Sequence, residues 1–78
     1  EAIDSALTVK RENGQVGIGT DDPQSALDIQ GDRIRIRESH TPASSKAPGN
    51  PGDIAWDENY IYICVAKDTW KRTALSTW

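Results

Sequence analysis

A chain of 78 residues with no internal staple must build its core from aliphatic and aromatic side chains, and this one has few. Three Leu, eight Ile and three Val make 14 residues, and there is no Phe. That is roughly 18% of the chain, and a share below about 20% marks sequences that struggle to bury enough apolar surface to offset chain entropy. High net charge, the usual companion of that deficit, is missing, since the formal charge is −3. One Cys excludes an internal disulfide, and no CxxC or Cys/His cluster offers zinc a site. A monomer this small folds only around an unusually dense core. The other route is a core shared with further copies of the same chain.

Several function classes fall away. The apolar run at Ile61–Ala66 is far short of a membrane span, so no membrane insertion is expected. A pI near 4.9 argues against a nucleic-acid partner. There is no signal-peptide core. The chain opens on Glu1 without Met and reads as a piece of something longer, so its N-terminus says nothing of localisation.

The first half alternates in short pieces. Ile3, Leu7 and Val9 are its leading apolar positions, and Leu7-Thr8-Val9 reads as a strand. Asn13-Gly14 suits a tight turn. Val16 and Ile18 share a face, with Gly17 and Gly19 between and beside them. Glycines at alternate strand positions imply another backbone passing close by. Pro23 punctuates, and 23–26 suits a brief helical turn. Leu27 and Ile29 alternate with polar residues, and so do Ile34 and Ile36 within Arg33–Arg37, but the parity flips across Gly31-Asp32. A turn or bulge is therefore expected there, followed by a strand with one dry and one wet face.

Residues 41–52 hold three of the four prolines and no large apolar side chain, which predicts a loop or an extended polyproline-like connector rather than a packed element. Residues 53–78 hold all five aromatics. Short strands at 53–56, 60–66 and 70–75, separated by the polar turns 57–59 and 67–69, predict an antiparallel meander. Its middle strand is rich in β-branched and aromatic residues and apolar on both faces, so it should be central or covered on both sides. Trp56, Tyr62 and Trp70 are its expected core. The chain ends on Trp78, which suggests a docked or interfacial end.

Two stretches carry a resemblance. Leu7-Thr-Val9, Asn13-Gly14-Gln-Val-Gly-Ile-Gly-Thr20, Pro23 and Leu27-Asp-Ile29 resemble a signature of viral tail fibres. Ala47-Pro-Gly-Asn-Pro-Gly-Asp-Ile-Ala-Trp-Asp57, Tyr60-Ile-Tyr-Ile-Cys-Val65 and Thr69-Trp-Lys-Arg72 are similar to the ends of phage and cyanophage fibre-like proteins. The resemblance implies an all-β, intertwined homotrimer with no cofactor, in which residues 1–40 form a shaft-like region, 41–52 a connector and 53–78 the tip. It implies a virion protein acting outside the host cell, whose partners are itself and a host cell-surface glycan or protein. In such a trimer Val16, Ile18, Leu27, Ile29, Ile34 and Ile36 would meet near the axis, so each chain needs about a third of a core, and closed symmetry would remove free strand edges.

The residues that could carry chemistry each have a plainer reading. His40 could ring a metal on a three-fold axis, but no ligand-spaced neighbour supports this and no metal site is expected. Arg33, Arg35 and Arg37 could form a belt for acidic glycan, or a solvated face paired with Asp28, Asp32 and Glu38. Cys64 reads as an inert buried thiol. No acid pair, activated nucleophile or phosphate loop is present, so no catalytic residue is expected. The receptor-contact candidates are Asp57, Glu58, Asn59, Lys67 and Asp68 in the two turns, with Trp70 and Trp78 as aromatic platforms. A structural cap that holds a trimer together without touching a receptor fits the same residues.

Overall fold

The computed structural model describes residues 6–78; Ile3, expected to lead into the first strand, lies outside them. The described residues are all-β, with two small three-stranded sheets and no helix. The chain divides into two compact units, 1–34 and 35–78.

The first unit holds β1 (Leu7–Val9), β2 (Val16–Ile18) and β3 (Leu27–Ile29). β1 and β2 are antiparallel and joined through the Asn13-Gly14 turn, where Gly14 takes φ +73° and its N–H donates to the Lys10 carbonyl at 2.7 Å. β2 and β3 are parallel neighbours. Parallel strands normally need a crossover of a dozen or more residues; here 19–26 suffice because the loop folds directly onto the sheet. Gly17 makes that possible. A Cβ there would run into the Thr20 carbonyl oxygen and lie 3.4 Å from Pro23 Cδ, and both Gly17 and Pro23 are buried. Gly19 turns the chain out of β2 at φ +80°, 2.9 Å from the Gln30 carbonyl oxygen by its would-be Cβ. The close backbone that the glycines imply is thus the chain's own: the crossover at Gly17 and the residue after β3 at Gly19. No helical turn forms at 23–26.

Register then sorts the side chains. Leu7, Ile18 and Ile29 lie in one row and Val9, Val16 and Leu27 in the next, all on one face of the sheet. Thr8, Gly17 and Asp28 occupy the other face, the one the crossover covers.

The second unit is the expected meander, β4 (Ile54–Trp56), β5 (Tyr60–Ala66) and β6 (Thr69–Ala74), antiparallel throughout with β5 central. The last turn is tighter than expected. Only Lys67 and Asp68 separate β5 from β6, Asp68 takes φ +52°, and the register shifts between Cys64 and Ala66. A left-handed residue beside a bulge lets a short turn follow strand twist. The core is Ala55, Tyr62, Cys64 and Trp70. Trp56 is a correction: register pairs Ala55 with Tyr62, so Ala55 enters the core. Trp56 sits half-buried on the opposite face, its indole N–H donating to the Ile36 carbonyl at 2.8 Å.

Residues 41–52 are also a correction, because they pack as the lid of this core. The Trp70 amide donates to the Ser45 carbonyl at 2.8 Å and its indole N–H to the Ala47 carbonyl at 3.1 Å. Gly49 lies so close to the core that a Cβ would sit 2.8 Å from Trp70 and 2.9 Å from Cys64 Sγ. Prolines and glycines are here what lets an irregular backbone lie flat on aromatic rings. The strand expected at 33–37 does not form. Ile34 and Ile36 stand 69% and 50% exposed. Alternation alone makes two faces but no ladder, and the Ile36 carbonyl is spent on the Trp56 indole.

Candidate functional site

None of the described Leu, Ile and Val residues is buried. On the second sheet, Ile54, Ile61, Ile63 and Val65 stand exposed on the face opposite the lid, with Lys71 and Thr73 of β6 on the same side by register. On the first sheet the aliphatic face is likewise uncovered, with Leu7, Val9, Ile18 and Leu27 exposed. Each sheet therefore buries a small or aromatic face under its own loop and presents its aliphatic face outward. Contiguous apolar surface of this kind marks interaction sites.

The most elaborate polar arrangement centres on Asp57, just after β4. Its carboxylate accepts from Thr41 Oγ1 at 2.6 Å, from the Tyr62 hydroxyl, and from the amides of Asn59 and Tyr60, both at 2.9 Å. These donors, Thr41 and Tyr62 foremost, hold its carboxyl well below the usual carboxylate range. The same carboxylate pushes the Tyr62 phenol up. Asp57 therefore ties the start of the lid to the meander, and it stays ionised.

Beside it opens a groove of about 330 Å³, lined by Pro42, Ser44, Ser45, Tyr62, Trp70 and Arg72 among others. The wall is anchored by Thr41 on Asp57 and by Ser45 on Trp70, and Pro42 is buried. Arg72 shares a face with Trp70 by alternation along β6, and its guanidinium lies over the Tyr60 ring, 3.9 Å from the centroid. Among the described residues it makes no ion pair.

The sequence-derived contact residues are distributed differently from their expected grouping. Glu58 and Asn59 are exposed in the β4–β5 turn, while Lys67 and Asp68 lie at the other end of the seven-residue β5. One end cannot share a compact ligand with the other. Asp57 and Asp68 act in the scaffold: Asp68 Oδ1 accepts the Gly49 amide at 3.0 Å, and Lys67 reaches Asn50 at 3.4 Å. Trp70 is 8% exposed and holds the lid, which leaves its ring little surface to offer as a platform. Trp78 is fully exposed, with no docking of its ring among the described residues. Val16 and Ile29 are half-buried; Ile18, Leu27, Ile34 and Ile36 are exposed.

His40 is exposed and uses its backbone amide on the Trp56 carbonyl, and no cluster of metal-ligating side chains occurs among the described residues. Arg33, Arg35 and Arg37 are exposed, with Arg33 3.3 Å from Asp32. Cys64 is buried, its thiol donating to the Ala66 carbonyl at 3.1 Å. Sequence reasoning missed the groove. Arg72 could have been placed on the Trp70 face by parity, but nothing in residues 41–52 signals that they fold back to form a wall.

Comparison with known proteins adds an independent line. Over 56 residues, 72% of this chain, the sequence is 52% identical to depolymerase 1, capsule K30/K69-specific, of Klebsiella phage K5-2. Over 57 residues, 73% of the chain, it is 40% identical to the capsule K30/K69-specific depolymerase of Klebsiella phage K64-1. The chain spans 7% of the length of each of these curated relatives. No described protein family and no solved structure matches it. What the chain shares with these phage capsule depolymerases is thus one short stretch of them.

Proposed function

We propose that this chain is a non-catalytic segment of a homotrimeric phage tail spike or fibre, carried on the virion and acting at the capsule of the host cell. The observation that carries the reading is the 52% identity to a phage capsule depolymerase. Depolymerisation would belong to other parts of such a protein. Cleavage of a glycosidic bond ordinarily takes two carboxyl groups, one of them protonated to act as an acid. Asp57, the most heavily bonded carboxylate here, is held ionised by its four donors.

The open aliphatic faces support the trimer. Val16, Ile18, Leu27 and Ile29 would pack against their copies, and so would the exposed Ile34 and Ile36 against theirs. Three weak surface contacts per spike, multiplied over several spikes, give avidity from poor individual sites. The uncovered faces equally favour a second reading, a cap that holds three chains in register without touching capsule. Light scattering should return three times the 8.6 kDa chain mass, and immobilised K30 or K69 capsular polysaccharide should retain the protein. A single chain mass overturns the trimer. A trimer that flows through the capsule column favours the cap.

A further inference from the structure

Resting on the capsule reading, we infer that the groove between residues 42–45 and the β5–β6 face is a saccharide site selective for a carboxylate-bearing sugar, with Arg72 as its anion partner. At about 330 Å³ the groove lies at the small end of ligand sites and suits one or two sugar rings. Its walls are set before any ligand arrives. Thr41 is bonded to Asp57, the Trp70 amide to the Ser45 carbonyl, and the Ala47 amide to the Ser44 carbonyl at 3.1 Å. Preformed walls reduce the ordering cost that weakens carbohydrate binding.

The chemistry of the lining narrows the ligand. Tyr62 and Trp70 border the floor but are 3% and 8% exposed, so they give it an apolar edge rather than a stacking face. Ser44 and Ser45 offer hydroxyls to sugar hydroxyls. Arg72 is the cation on this face, and Asp57, the anion beside the groove, is already occupied by Thr41, Tyr62 and two backbone amides. Lys71, which also borders the groove, alternates to the aliphatic side of the sheet. The guanidinium lies over the Tyr60 ring and also meets the Tyr62 hydroxyl, and with no ion pair among the described residues it keeps donors for a carboxylate. A neutral sugar would leave that cation unanswered.

The test is a ¹H–¹⁵N NMR titration of the full 78-residue chain with a glucuronate-containing disaccharide, its all-glucose counterpart and inorganic phosphate. The acidic disaccharide should shift the Trp70 indole N–H and the Ser44, Ser45 and Arg72 amides in one saturable curve. The neutral disaccharide should bind about ten-fold more weakly, the worth of one charge-assisted contact. Arg72→Gln should bring the acidic sugar down to that level. Arg72→Lys, which keeps the charge and loses the fork, should fall between them. Spectral dispersion reports whether each variant is folded. Equal affinity for the two disaccharides overturns the acidic selectivity, and phosphate binding as tightly at the same amides overturns the saccharide class. An absence of shifts in the folded wild type overturns the site. All lining residues come from one chain, so such failure leaves the trimer and capsule retention standing, and the mass measurement judges those separately.

Discussion

Gly49 shows how much one missing side chain decides. It is half-buried, and its would-be Cβ meets two rigid neighbours, an indole and a buried thiol, instead of the tip of a flexible chain. Gly49→Ala must lift the lid or displace Trp70, an overpacking cost of about 1–3 kcal/mol. A thermal melt with an unchanged midpoint would contradict this packing. Asp57 decides by charge. Its folded-state pKa is depressed below the ordinary carboxylate value of about 3.9. The stability it contributes is therefore fully present above that value and is lost as pH falls through the folded-state one. Wild-type melting temperature should decline on acidification below about pH 4. Asp57→Asn should melt lower at neutral pH, because its amide nitrogen cannot accept from Thr41 or Tyr62, and should show a shallower acid decline. Parallel pH profiles for the two proteins would remove Asp57 from that role.

The elements differ in what holds them. β5 and β6 pair over six register positions and cover a contiguous aromatic core, whereas β1, β2 and β3 are three residues each, with their large side chains outward. Short strands with little burial open at low free energy. Amide hydrogen exchange in the monomeric form should protect Tyr62 and Cys64 far more than Gly17, and equal protection would refute the ranking. The same contrast explains what was legible in the sequence. The meander was legible because Tyr60–Ala66 is β-rich, polar turns bracket it, and parity separates Tyr62 and Cys64 from Ile61 and Ile63. Leu7–Val9, Val16–Ile18 and Leu27–Ile29 were legible for the same reason. Their pairing was not, since a parallel neighbour reached by a short crossover depends on Thr20 lying over Gly17. The lid was illegible because Pro/Gly composition describes a backbone without regular ladders and is silent on what that backbone covers. The Arg33–Arg37 alternation misled because period two specifies faces, and a strand also needs a partner edge.

For the whole molecule, the shortage of aliphatic residues is compounded by their placement. Residues such as Ile18 and Ile63, which would each stabilise a core by about 1.5–3 kcal/mol if fully buried, face outward on both sheets. A trimer that covers these faces recovers that stabilisation, and a charge placed within one removes it. Ile18 lies between Leu7 and Ile29 in the first sheet, so an aspartate there would be buried without a partner in a covered face and solvated in an open one. Ile63 holds the corresponding position between Ile54 and Lys71 in the second. Ile18→Asp should drop the scattering mass from three chains to one while leaving the near-UV aromatic signal of the meander intact, because that core lies wholly within 35–78. Ile63→Asp, measured the same way, tells whether the second face also assembles: loss of the trimer in both variants assigns contacts to both sheets, and loss in Ile18→Asp alone assigns them to the first. A trimer that survives both substitutions would mean that the aliphatic faces are not what the copies share, and that some other partner covers them.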